Sequence, residues 1–246
     1  MISDLTLLIP IFFLIALVYS AAGFGGGSSY LAVLALFPID FVDIRMVALL
    51  CNITVTIGSV ILFYRHGFLS IRKILPLIIL SIPLAYLGGK FPIQEQTFFI
   101  ILGAALLLAA LLILIQKPLS RIRRLHPFTS GIIGGGIGFL SGIVGIGGGI
   151  FLSPVLHLTA WDRPKIIAAT TAAFIFVNSI AGLSGQLVMH GFTSNVKLLV
   201  ALLIAVLVGG LIGSRVSITI LSPYRVKKIT GILILVVAIR ILYNTI

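Results

Sequence analysis

Apolar residues fill long stretches of this chain, and charged residues fall in short islands between them. The stretches run from Leu5 to about Ile39, Met46 to Tyr64, Ile74 to Gly89, Thr97 to Ile115, Pro127 to Ala160, Ile166 to Met189, Leu198 to Gly213 and Ile229 to Tyr243, here segments A to H. As helices rising 1.5 Å per residue, such runs cross the roughly 30 Å hydrocarbon core of a bilayer. The pattern predicts an all-α polytopic membrane protein. Segments A and E are too long for one spanning helix. Each is broken by a glycine cluster, Gly23-Phe24-Gly25-Gly26-Gly27 in A and Gly145-Ile146-Gly147-Gly148-Gly149 in E.

The clusters lie 122 positions apart, and Asp40 recurs as Asp162 at the same offset. His66-Gly67-Phe68 recurs as His190-Gly191-Phe192, Gly58 as Gly182 and Gly89 as Gly213, all 124 positions later. This is an internal duplication, 1–122 and 123–246, within one integrated membrane domain. The basic island Lys117, Arg121, Arg123 and Arg124 marks the midpoint. Internal repeats are characteristic of transporter folds.

Composition sharpens the class. Hydrophobic residues make up 60% of the 246 and charged residues 9%, against roughly 25% charged in a soluble domain. A water-soluble enzyme is excluded, and no catalytic triad or metal-ligating constellation is visible, so no enzyme activity, cofactor or metal is expected. The net charge of +12 comes with no base-reading or base-stacking motif, so nucleic acid is not an expected partner. Lone Cys51 allows no intrachain disulfide. Met1-Ile2-Ser3-Asp4 has no basic residue before segment A. A secretory leader has a positive start, so segment A is expected to be retained.

The positive charge reports orientation instead. If A and E cross once each, Lys and Arg divide evenly between the two faces. If both are hairpins that enter and leave on one side, thirteen of the seventeen collect on one face, and the other keeps Arg45, Lys90, Lys197 and Arg240. That other face also takes Asp4, Asp40, Asp43 and Glu95. The positive-inside rule favours hairpins, with both termini outside the cytoplasm. Each half then makes three net crossings, so the halves insert in opposite orientation. The expected architecture is two inverted-topology repeats, each a Gly-broken helical hairpin plus three transmembrane helices.

In an inverted repeat the substrate site lies near the midplane, where Gly-interrupted segments face each other. Irregular backbone at that depth must be buried or line a cavity. A glycine run permits a tight turn and exposes amides at the start of the second half-helix, expected at Ser28-Ser29 and Ile150-Phe151. Such amides and the helix dipole bind anions without a charged side chain. Gly25, Gly26 and Gly27 with Ser28 and Ser29, and Gly147, Gly148 and Gly149, are therefore candidates. Polar residues within the spans join them: Asn52 and Thr54 in B, and Thr170, Thr171, Asn178 and Gln186 in F. Uncharged donors can hold an oxyanion without clamping it. The competing account is structural. GxxxG spacings such as Gly131/Gly135, Gly138/Gly142 and Gly209/Gly213 serve close helix packing, and Asn, Thr and Ser bond between helices. Lys90, Arg215 and Arg240 form a vestibule or snorkel to the interface. His66 and His190 fall in loops, and Pro154 is expected to assist the bend of hairpin E.

Ala22-Gly23-Phe24-Gly25-Gly26-Gly27 and Ser141-Gly142-Ile143-Val144-Gly145-Ile146-Gly147-Gly148-Gly149, followed by Ser153-Pro154, resemble the duplicated signature of the TauE/SafE sulfite exporter family. Ala168-Ala169-Thr170-Thr171 through Asn178 and Gly182 resembles it too. The likeness covers essentially the whole chain. It implies an inner-membrane permease for sulfite or small organosulfonates. The first copy, Ser28-Ser29-Tyr30-Leu31, lacks the proline of the second.

The expected function is export of a small sulfur oxyanion by alternating access. A passive anion channel, an importer of a related anion and a non-transporting membrane scaffold are the alternatives. The expected partners are a small anionic substrate and the lipid bilayer, with self-association into a homo-oligomer left open.

Overall fold

Each apolar segment becomes helix, and segments A and E become two helices apiece. The structure, a computed structural model, describes residues 7–115 except 22 and 38, together with 122, 125–190, 196–219 and 223–245. The basic midpoint island and Gly191-Phe192 lie outside the described residues. The helices are α1 (Leu8–Ala21), α2 (Gly27–Leu34), α3 (Phe41–Arg65), α4 (Ile71–Lys90), α5 (Glu95–Leu114), α6 (Pro127–Val144), α7 (Gly149–Leu158), α8 (Pro164–His190), α9 (Val196–Thr219) and α10 (Pro223–Thr245). No strand occurs among the described residues. Among the described residues six helices, α3, α4, α5, α6, α8 and α9, are long and apolar enough to cross a membrane. Many of their large apolar side chains, such as Ile79, Leu108, Ile132, Val200 and Ile204, are exposed. An exposed apolar girdle suits hydrocarbon, not water.

One boundary differs in a way that matters. Segment B was expected from Met46, because an apolar run is cut at a charge. The helix begins at Phe41, where the Asp40 carboxylate accepts the Val42 N–H at 2.8 Å. This N-cap satisfies one of the first-turn amides and carries Arg45 inside the helix.

Helix packing follows the glycines. Methyl groups placed on Gly134, Gly138 and Gly142 of α6 would land on Leu77, Ser81 and Ala85 of α4. Gly209 and Gly213 of α9 meet the Phe13 and Leu17 carbonyls of α1 in the same way. The GxxxG spacings are thus backbone-contact stripes, and in both pairs the helices run in the same direction. Helix α3 also runs with α9: Val55 meets Gly210, and Ser59 Oγ lies 2.7 Å from Ser214 Oγ. Helices α5 and α10 run oppositely, with Gly103 against Leu242 and Gly231 against Ile113.

The packing maps onto itself when the halves are exchanged. Helix α4 packs on α6 as α9 packs on α1, and α4 on α8 as α9 on α3. Helix α2 packs on α3 as α7 packs on α8, and α3 with α8 and α5 with α10 are self-equivalent pairs. Helices α3 and α8 form the centre, and the return arms α2 and α7 lie against them. Within the first hairpin, Phe12 of α1 stacks on Tyr30 of α2 with ring centroids 4.7 Å apart.

Candidate functional site

Both hairpins turn on equivalent glycines. Gly23 has φ 79° and Gly145 has φ 80°, each ending a first arm in the left-handed region. Gly26 (φ 90°) and Gly148 (φ 81°) cap the second arms from the same region. L side chains avoid this conformation, which explains why both clusters are glycine. Pro154 lies inside α7, beyond the turn. The bend of hairpin E therefore belongs to Gly145–Gly148 and not to the proline.

The first intrahelical bonds of the second arms run from Ser29 and Tyr30 to the Gly26 carbonyl, and from Phe151 and Leu152 to the Gly148 carbonyl. The amides that precede them, Gly27-Ser28 and Gly149-Ile150, are left for the tip. They begin one residue earlier than the sequence suggested, because each second arm begins at the last glycine of its cluster.

Asn52 joins the two tips. Its Nδ2 donates to the Ile146 carbonyl at 2.8 Å. Its carboxamide occupies the space that side chains at Gly25 and Gly27 would need, and lies near Gly147 as well. Ser179 Oγ stands 2.6 Å from where a Gly147 Cβ would sit, and Thr171 Cγ2 stands 3.0 Å from that of Gly149. Tyr19, Phe24, Gly25 to Ser28, Ile146, Gly149, Ile150 and Ile175 line a cavity of about 10 Å³ between the tips. That is room for about one water.

The polar atoms here are short of partners. Asn52 Oδ1, Thr171 Oγ1 and Ser179 Oγ are buried without a hydrogen bond, as are Thr170 Oγ1 and Asn178 Oδ1 on α8. Each orphan costs about 1–3 kcal/mol, and most buried polar groups in native proteins are paired. A cluster of orphans around two rows of helix-start amides is an arrangement for a polar guest.

The other candidates have other engagements. Ser29 Oγ donates to Tyr19 Oη at 2.5 Å, clamping the first hairpin. Ser28 is buried and lines the cavity. Half-buried Thr54 returns its hydroxyl to the Leu50 carbonyl at 2.9 Å. Asn178 Nδ2 donates to the Phe174 carbonyl at 2.8 Å, leaving its oxygen open. Lys90 lies over the Tyr86 ring at 5.5 Å, and Arg215 and Arg240 are exposed. That agrees with interfacial cations. Larger depressions lie away from the tips: a lateral groove of about 260 Å³ by Phe99 and Arg240, and a hollow of about 420 Å³ by Arg72, Lys73 and Trp161. Neither has the clustered orphaned groups of the tips.

Arg45 is the residue that sequence reasoning placed wrongly. Its charge places it on a loop face by sequence, yet among the described residues it is the largest fully buried side chain. Its Nη2 donates to the Gly142 carbonyl at 3.3 Å. With the Gln186 carboxamide oxygen turned toward it, Arg45 Nε and Nη2 donate there at 3.2 and 3.3 Å. Gln186 is thus held by Arg45. The signal was available: Asp40 as an N-cap starts the helix early enough to include Arg45.

The family profile described as "Sulfite exporter TauE/SafE" matches residues 8–241. A probable membrane transporter protein of Sinorhizobium fredii is 36% identical over 184 residues, covering 71% of this chain and 73% of that protein. A probable membrane transporter protein of Methanocaldococcus jannaschii is 29% identical over 211 residues, covering 78% of this chain and 76% of that protein. No solved structure matches the chain.

Proposed function

The chain belongs to the sulfite exporter TauE/SafE family, and we propose that it moves a small sulfur oxyanion, sulfite or an organosulfonate, out of the cell across the plasma (inner) membrane. The observation that carries this reading is the tip site. The helix-start residues Gly27-Ser28 and Gly149-Ile150 line one cavity, and Asn52, Thr171 and Ser179, each with an orphaned polar atom, pack against the glycines of the two turns. Helix N-termini supply partial positive charge, and unpaired amides and hydroxyls supply hydrogen bonds to oxyanion oxygens.

The mechanism is alternating access. The space of about 10 Å³ is too small for an anion of four heavy atoms, so the tips must part to admit one. The parallel pairs α1 with α9 and α4 with α6, and the antiparallel pair α5 with α10, support opposite orientation of the two halves. Halves so related can rock against each other around a fixed site. Export fits the energetics. An interior-negative potential drives an anion outward by about 2.3 kcal/mol per charge per 100 mV. The described carboxylates Asp40, Asp43, Glu95 and Asp162 sit at helix starts or in a connection.

Ligand-dependent thermal protection tests the site. Sulfite and short alkylsulfonates should raise the unfolding temperature of the detergent-solubilised protein above that in chloride at equal ionic strength. Ser28→Ala and Thr171→Val, which leave the backbone of the turns untouched, should reduce the rise while the protein stays folded. Full protection of both variants, or none in the wild type across a broad anion panel, would sink the proposal.

A further inference from the structure

Arg45 has an unusual setting for a charge within a membrane helix. It is buried in the second turn of α3, and no carboxylate lies within ion-pairing distance among the described residues. Its acceptors are neutral, the Gly142 carbonyl and the Gln186 carboxamide, and its guanidinium carbon lies 5.7 Å from the centre of the Phe98 ring. A buried cation without a counter-ion is costly, and ionisable groups inside membrane proteins mark function.

Its position suggests the role. In hairpin E the carbonyl end of α6 and the amide end of α7 meet at one turn. The first is the negative pole of a helix and the second the positive pole. For an anion at the turn the two oppose each other. Arg45 binds Gly142, in the last turn of α6, and so covers the negative pole. Its Cα, Cβ and Cγ lie 3.2–3.4 Å from where a Gly145 Cβ would sit, against the turn itself. The orphaned, fully buried Ser179 hydroxyl is directed at this turn, and orphaned Thr171 lies on the first turn of α7.

The first hairpin lacks the device. Gly23, the counterpart of Gly145, packs against Ala168 where Gly145 packs against Arg45. At the offset that pairs Asp40 with Asp162, Arg45 corresponds to Ile167. The two tips are alike in backbone and unlike in charge.

We propose that Arg45 is a positioning residue that makes tip E the electropositive side of the anion site, and that this one buried cation selects a monoanion over a dianion, because a guest's attraction to it grows with the guest's charge whereas the cost of stripping the guest's water grows with the square of that charge. This rests on the anion-site reading above. The guanidinium acts through the end of α6 and does not touch the guest.

Methanesulfonate and sulfate are suitable probes, since each keeps a fixed charge near neutral pH. Titrated as protection against unfolding of the full-length protein, methanesulfonate should bind the wild type more tightly than sulfate does. Arg45→Gln should weaken methanesulfonate on the order of tenfold, and Arg45→Lys should recover part of the loss. A purely structural arginine would lower the ligand-free unfolding temperature and leave the methanesulfonate affinity of the folded fraction unchanged, which would overturn the proposal. Sulfate bound as tightly as methanesulfonate by the wild type would overturn it too, even if Arg45→Gln does not fold. If sulfite protects the wild type but Arg45→Gln binds methanesulfonate normally, only the role of Arg45 fails. If no anion protects the wild type, the anion site fails with it.

Discussion

Thr171→Val gives the tip site its sharpest test, because the two consequences have opposite signs. Thr171 is fully buried on α8, and its hydroxyl has no partner. Its methyl already packs toward the first turn of α7. Valine keeps the shape and replaces the hydroxyl with a second methyl. Without ligand this removes an orphan that costs about 1–3 kcal/mol, so the variant should be as stable as the wild type or more so. With ligand it removes a hydrogen bond to a charged group, worth about 1.5–3 kcal/mol. At 1.4 kcal/mol per decade that is about 10-fold to 150-fold in affinity. The assay is paired: the unfolding temperature without anion, and the apparent affinity for sulfite from ligand-dependent protection. A less stable ligand-free variant would show that the hydroxyl has a structural partner. A variant with unchanged sulfite affinity would show that Thr171 does not face the guest. Either result refutes the reasoning.

Other consequences are quicker to check. Gly142→Ala would drive a methyl onto the Ala85 carbonyl and should destabilise by about 1–3 kcal/mol or more. Gly136→Ala on the same helix meets nothing within 4 Å and should be neutral or stabilising by about 0.5–1 kcal/mol in thermal unfolding. Lys73 Nζ lies 2.5 Å from Asp162 Oδ2 and ties the first half to the second, with side chains 30% and 8% exposed. A double-mutant cycle of Lys73→Met and Asp162→Asn should give a coupling of about 1 kcal/mol, and zero coupling would dismiss the tie. The proposed orientation predicts that, in a Cys51→Ala background, a membrane-impermeant maleimide labels Glu95→Cys in intact cells and spares Arg163→Cys. The reverse pattern would invert the topology. Native Cys51 is fully buried and should stay unlabelled until the protein is denatured.

Much of this was legible in the residues. The apolar runs marked the helices, and the repeated glycines located both turns, because few other residues tolerate φ near 80°. GxxxG spacings announced the close contacts of α6 with α4 and α9 with α1. Side-chain engagement was not legible. Nothing in the sequence tells that Thr54 bonds back to Leu50 while Thr171 is left without a partner, since both are threonines in apolar helices. Ser29 was drawn away by Tyr19, a contact set by the closing angle of the hairpin. Arg45 was misplaced because an apolar run stops at a charge, whereas a capped helix does not.

The central claim, that this chain carries a sulfur oxyanion across a membrane, is tested most directly by flux in proteoliposomes. Purified protein reconstituted with labelled sulfite under anoxic conditions, at an imposed potential, should show saturable and potential-sensitive flux. Unlabelled sulfite on the opposite side should accelerate exchange, as a carrier requires. Flux no greater than that of protein-free liposomes, from protein shown to be folded, would contradict the claim. So would flux that rises linearly without saturation or counterflow.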